Sequence, residues 1–143
     1  MGTRSLTVFM DGKNEIAVMY RQMDGYPDGH GKDLAEFLQD MYITNGISMQ
    51  DKNRKTANGI ECLAAQVIAH FKRGPGGIYL YKAKARDCGE NYIYTIQGEV
   101  GKLVTMKVFR VYYKREIFNG TGQEFLESLD EINKRDDDES GSC

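Results

Sequence analysis

The sequence predicts an α+β domain with a mainly antiparallel sheet of about five strands, about three helices packed on one face, and the element order ββααβββα. Three observations carry this. Two alternating runs flank a short Asp-Gly turn, two helical repeats of apolar residues follow, and the C-terminal half returns to alternation before a last helical stretch. With 143 residues, 41% of them hydrophobic and 28% charged, the chain can bury a single core without disulfide staples. Residues 1–135 are expected to form that domain, and the acidic residues 136–143 a disordered tail.

The first alternating run, 5–10, places Leu6, Val8 and Met10 on one face, and the second, 15–22, does the same with Ile16, Val18 and Tyr20. Asp11-Gly12-Lys13-Asn14 between them reads as a hairpin turn. The second strand leads into 21–32, RQMDGYPDGHGK, where three glycines, one proline and several charged groups meet. From Lys32 the period becomes helical through Leu34, Phe37, Leu38 and Met41, a helix of about ten residues ended by Thr44-Asn45-Gly46. Residues 48–58 are polar and read as an exposed loop.

Asn58-Gly59 opens a second helix that runs to Phe71 and stops at Gly74-Pro75-Gly76-Gly77. Its small residues Ala64, Ala65 and Ala69 suggest close packing, Gln66 needs a partner if buried, and His70 reads as a packed core residue. Three strands are expected next, at 78–82, 91–96 and 102–113. Six of the nine tyrosines fall in them, so one sheet face should carry a phenolic stripe. A final helix over 123–133 buries Phe125, Leu126, Leu129 and Ile132, with Thr121 as its cap.

Composition excludes several function classes. The 21 acidic and 19 basic side chains nearly balance, and four of the acids, Asp136, Asp137, Asp138 and Glu139, stand together near the C-terminus. The body is close to neutral, which gives no electrostatic case for duplex nucleic acid. Cys62, Cys88 and Cys143 are an odd set without CxxC spacing, which argues against a disulfide framework and a zinc site and suits a reducing cytoplasm. No apolar run is long enough for a membrane span, and Leu6 stands where a myristoylation signal needs Ser or Thr. The expectation is a cytoplasmic protein without cofactor or metal.

The 21–32 stretch is the candidate functional loop. It is not a P-loop: Gly25 and Gly31 enclose five residues rather than four, and Asp33 replaces the hydroxyl that would hold magnesium. Glycine amides at a helix start, with Arg21 and Lys32 beside them, can still bind an anion. His30, with Asp24 and Asp28 near it in sequence, has the proton chemistry of a general acid or base, and a salt-bridged tight turn is the bland alternative. If the loops at 73–77 and 86–90 meet the first one, Arg21, Lys32, Arg73 and Arg86 surround an anionic ligand and tyrosines stack on a base.

The segments MGTRSLT, YRQMDGYPDGHGKDLAEFL, NGIECLAAQVIAHFK, GGIYLY and DCGENYIY occur in this order. Together they resemble a family of small proteins of bacteria and their phages, over roughly residues 1–96, and the chain looks similar to the phage anti-Thoeris sponges that sequester cyclic ADP-ribose signals. The resemblance implies a phage-encoded homo-oligomer in the host cytoplasm that binds a cyclic signalling nucleotide without turning it over; it transfers no binding residue. The expected ligand residues, chosen from the loops, are Arg21, Asp24, Tyr26, His30, Lys32 and Arg86. Two alternatives stand beside this reading: a nucleotide-processing enzyme using His30, and an inhibitor whose tyrosine-rich sheet face and acidic tail contact a host protein.

Overall fold

In chain order the strands are β1 (Ser5–Asp11), β2 (Asn14–Arg21), β3 (Tyr42–Thr44), β4 (Thr56–Asn58), β5 (Ile78–Tyr81), β6 (Tyr92–Gly98), β7 (Thr105–Arg110) and β8 (Arg115–Thr121). The helices are α1 (Lys32–Leu38), α2 (Gly59–Phe71), α3 (Gly122–Glu127) and α4 (Leu129–Asp137), and a π-helical turn, Pro27–Gly31, precedes α1. The computed structural model describes residues 2–47 and 55–137. Six strands form one sheet in the order β5-β2-β1-β6-β7-β8, and β3 pairs with β4 in a separate parallel ribbon. In the large sheet only the β1–β6 pair is parallel. The chain is thus α+β with a mainly antiparallel sheet, as its periodicity predicts.

The first hairpin closes where the Asp-Gly signal places it. Asp11 pairs with Asn14, and Gly12 takes a φ of 61°, the left-handed value such two-residue turns require. Alternation then divides the sheet. Phe9, Met19, Tyr94, Ile96 and Met106 join the core beneath the helices, whereas Leu6, Val8, Val18 and Tyr20 form a smaller cluster on the opposite face, against Tyr81, Ala85 and Cys88. The central strand β1 is buried on both faces from Ser5 to Phe9.

The second helix follows its predicted bounds. Ile60, Leu63, Ala64 and Val67 recur at helical spacing and are buried. Ala65 and Ala69 are exposed, so of the three alanines only Ala64 packs closely. Gln66 is satisfied: its Nε2 donates to the Thr56 carbonyl at 3.3 Å, and its Oε1 accepts from Cys62 Sγ.

Several boundaries differ from expectation, each for a local reason. The first helix ends at Leu38 because Gln39 is extended and Asp40 adopts a φ of 63°. Met41 is still buried, but as a loop residue leading into β3. Part of the polar loop, Thr56–Asn58, is strand β4; residues 48–54 of that loop lie outside the described residues. The long run 102–113 holds only β7, and the chain reverses at Val111–Lys114, where Lys114 takes a φ of 51°. Strands β3, β4 and β8 all fall outside the expected elements, which makes eight described strands rather than about five.

The last helix is two. Thr121 caps α3 through a full capping box with Glu124, and a break at Ser128 starts α4. Helix α4 reaches into the segment expected to be a disordered tail. Asp136 is helical and buried, bonded to Arg110, and accepts from the Tyr92 hydroxyl at 2.5 Å. Pairing with Arg110 overcomes the tendency of acidic residues to stay solvated. Burial, followed by the Asp136 carboxylate, pushes the Tyr92 phenol well above its usual value. Residues 138–143 of the expected tail lie outside the described residues.

Candidate functional site: a cleft at the end of strand β2

Strand β2 ends at Arg21, whose register partner on edge strand β5 is Ile78. The next amide, Gln22 N–H, donates to the Gly77 carbonyl at 2.9 Å, so the glycine-rich 74–77 loop is tied to the mouth of the 21–32 loop. Gly74, Gly76 and Gly77 all have positive φ, which this loop needs to turn from α2 into β5. Lys72 holds it in place by donating to the carbonyls of Gly76 and Ile78 at 3.1 and 2.7 Å.

These elements and α1 surround an open cleft of about 810 Å³. That is ample for a small-molecule ligand. Arg21, Lys55 and Arg73 bring positive charge to it, and Asp33 and Glu36 bring negative charge. Phe37, His70 and Phe71 supply an aromatic wall: the His70 ring lies 4.5 Å from Phe37 and 5.0 Å from Phe71. His70 is therefore an exposed cleft residue and not part of the core. Lys55 Nζ donates to the carbonyls of Glu36 and Gln39 at the end of α1, where unpaired helix carbonyls attract a cation. Arg73 has no ion pair with any described residue.

Behind the cleft lies a buried chain of polar contacts. Arg21 Nη1 is 3.0 Å from His30 Nδ1 and 3.4 Å from Asp33 Oδ2, and the guanidinium stands 5.5 Å over the Phe71 ring. His30 Nε2 is 2.8 Å from Thr7 Oγ1 in β1. Arginine can only donate, so Nδ1 must accept and Nε2–H must donate to Thr7. His30 is fully buried between Phe71 and Tyr94, with ring centres 5.0 and 4.9 Å away. Burial, with the Arg21 charge adding to it, pushes the imidazole down from 6.5 to about 3. The ring is thus held neutral, with both nitrogens engaged by protein groups and neither facing the cleft directly.

The glycines of this loop serve packing rather than freedom of φ. Gly25, Gly29 and Gly31 all have negative φ, and the left-handed residue is Asp24 at 60°. A Cβ on Gly31 would lie 2.8 Å from Phe125 Cζ, and one on Gly29 would lie 2.5 Å from the Asp24 carbonyl oxygen. That carbonyl accepts from His30 N–H at 2.7 Å, and the Gly25 carbonyl accepts from the buried Tyr94 hydroxyl at 2.7 Å. The loop is folded down onto the sheet, which is what carries His30 to Thr7.

Of the six residues expected to bind ligand, Arg21 lines the cleft and His30 lies buried behind it. Asp24 and Tyr26 are on the outer surface, where the Tyr26 hydroxyl donates to Asp24 Oδ1 at 3.3 Å. Lys32 is exposed in the first turn of α1 and does not line the cleft. Arg86 does not join the site: it bonds Glu15 at 2.8 and 3.2 Å, near the opposite end of β2 from Arg21. Six residue steps along the strand separate Glu15 from Arg21, about 20 Å. Burial works to raise the Glu15 carboxyl, but bonds from Arg86 and the Lys84 amide outweigh it and hold the group below its usual value. Of the expected second loops, then, 73–77 lines the cleft, whereas Arg86 of the 86–90 loop points its charge to Glu15 instead.

The six strand tyrosines do not form one stripe: Tyr79 and Tyr81 cluster with Tyr20, at 5.9 and 5.3 Å, whereas Tyr92 and Tyr94 lie in the core on the helix side and Tyr112 and Tyr113 in the turn after β7. Among the described residues no group of three His, Cys, Asp or Glu side chains is arranged to hold a metal ion, and no helix is long and apolar enough to cross a membrane. Comparison with protein-family models, curated proteins and solved structures finds no match to this chain.

Proposed function

We propose that this protein binds a small anionic ligand, a nucleotide of the cyclic signalling type, in the cleft beside Arg21, and that it holds the ligand without turning it over. The observation that carries the proposal is the pairing of Arg21, Lys55 and Arg73 with the Phe37–His70–Phe71 wall around one opening of about 810 Å³. Guanidinium groups suit phosphate oxygens, and flat rings suit a base. Non-catalytic binding is favoured by the state of His30, the general acid or base of the enzyme alternative: both its nitrogens are engaged inside the protein. A cyclic ADP-ribose type of ligand and a phage counter-defence role rest on the sequence resemblance and are part of the same proposal.

The test is to purify the protein from cells making signalling nucleotides, denature it, and identify what it releases by mass spectrometry. An intact nucleotide is expected from the wild type. Arg73→Glu, which reverses an exposed cleft charge, should weaken binding of that nucleotide on the order of tenfold or more. Release of a processed product would point to the enzyme instead. No nucleotide on the wild type, and none bound from a broad panel, would overturn the proposal and direct attention to a protein partner.

A further inference from the structure

We infer that Thr7 and His30 are positioning residues for the cleft: Thr7 anchors the buried imidazole at Nε2 so that Nδ1 accepts from Arg21, and the Arg21 guanidinium is held in place before any ligand arrives. The inference rests on Arg21 being a ligand group, as proposed above. Its geometry is independent of that reading.

An arginine side chain at a cleft mouth has many rotamers, and fixing one on binding costs affinity. Here the rotamer is fixed in advance from three sides. Nη1 reaches His30 Nδ1 at 3.0 Å and Asp33 Oδ2 at 3.4 Å, while Phe71 lies under the guanidinium plane at 5.5 Å. These contacts use Nη1 alone. The Nη2 and Nε donors are uncommitted among the described residues, and Arg21 keeps 18% of its side-chain surface exposed.

The bond to His30 depends on where its single proton sits. With the proton on Nδ1, two N–H groups would face each other and the contact would repel. Arg21, which can only donate, decides the matter, and the Thr7 hydroxyl, 2.8 Å from Nε2, then accepts the remaining ring proton and anchors the imidazole from the other side. Thr7 is itself fully buried on the central strand, flanked in register by Met19 and Tyr94, so its hydroxyl has a fixed place. The groups facing the ring are Thr7 from β1, Arg21 from β2, Tyr94 from β6 and Phe71 from α2; none is an acid that would favour an imidazolium.

The experiment compares wild type with Thr7→Val, which keeps side-chain shape but loses the acceptor, and Thr7→Ser, which restores it. Long-range nitrogen NMR of His30 in the free wild type should show Nε2 protonated and Nδ1 bare, and the Arg21 guanidinium signals should be those of an ordered group. In Thr7→Val the Nε2–H is left in the core without its acceptor, so the ring should lose its fixed position and the Arg21 signals should average. Affinity for AMP, the probe, should fall on the order of tenfold in Thr7→Val and return in Thr7→Ser. A wild-type Nδ1–H tautomer, or an Arg21 as ordered in Thr7→Val as in wild type, overturns the inference. If Thr7→Val does not fold, the wild type still decides it: an Nδ1–H tautomer, or an Arg21 guanidinium whose signals average in the free protein, overturns the inference. AMP that fails to bind wild type, with the NMR result as expected, counts against the ligand reading and leaves the positioning device standing.

Discussion

Acid should unfold this protein through His30 before it does so through the carboxylates. The folded ring resists protonation until about pH 3, whereas the unfolded chain takes up the proton near the ordinary 6.5. Between those values the unfolded state binds more protons, so stability is complete above pH 6.5 and declines as the pH falls. The slope approaches 1.4 kcal/mol per pH unit, so lowering the pH from 7.5 to 4.5 should remove about 3 kcal/mol. That is a large part of the stability of a small domain. Glu15 acts in a lower window: its folded carboxyl is held below 4.5, so its contribution is present above that value and is lost only below it. The assay is urea unfolding at several pH values for wild type and His30→Gln, whose amide can still accept from Arg21 and donate to Thr7 without titrating. His30→Gln should have a flatter profile above pH 4.5, whatever its stability at neutral pH. Equal slopes in the two proteins, or a folded His30 ring that titrates near 6.5 by NMR, would refute the reasoning.

Two other perturbations test the packing that supports the site. Gly31→Ala puts a methyl 2.8 Å from Phe125 Cζ and against Tyr94, and should cost about 1–3 kcal/mol in chemical denaturation. Because the same turn carries His30, its backbone amide should also lose exchange protection. Asp136→Asn should destabilise by about 1–3 kcal/mol, measured the same way, since it removes the counter-charge of partly buried Arg110 and the charged acceptor of Tyr92. An unchanged Asp136→Asn midpoint would mean that α4 gains nothing from this contact.

Much of the fold was legible because its signals are local. The Gly12 turn, the buried stripe of α2 and the Thr121 cap all follow from residues within a few positions of one another. Strand β8 was hidden for the same kind of reason: Val111–Lys114 contains no Gly, Pro, Asn or Asp to mark a turn, whereas Asn119-Gly120 looks like one and lies inside the strand. Asp136 reads as solvated tail by composition. Its partners Tyr92 and Arg110 are 44 and 26 positions away, beyond the reach of any local pattern.

Periodicity and turn chemistry act between neighbours, and so the class of fold, the first hairpin and the core helix follow from the chain read residue by residue. Where the side chains of 21–32 lie is set by long-range packing. Pairing of β2 with β5 brought Arg73 and the 74–77 loop to Arg21, and the same sheet geometry left Arg86 with Glu15 at the other end of the strand. Close contacts at Gly29 and Gly31 pressed His30 down to Thr7, turning an apparent surface base into a buried neutral acceptor. Charge and hydrogen-bonding capacity are properties of a residue; whether they face water, a ligand or another side chain is set by strand order and packing.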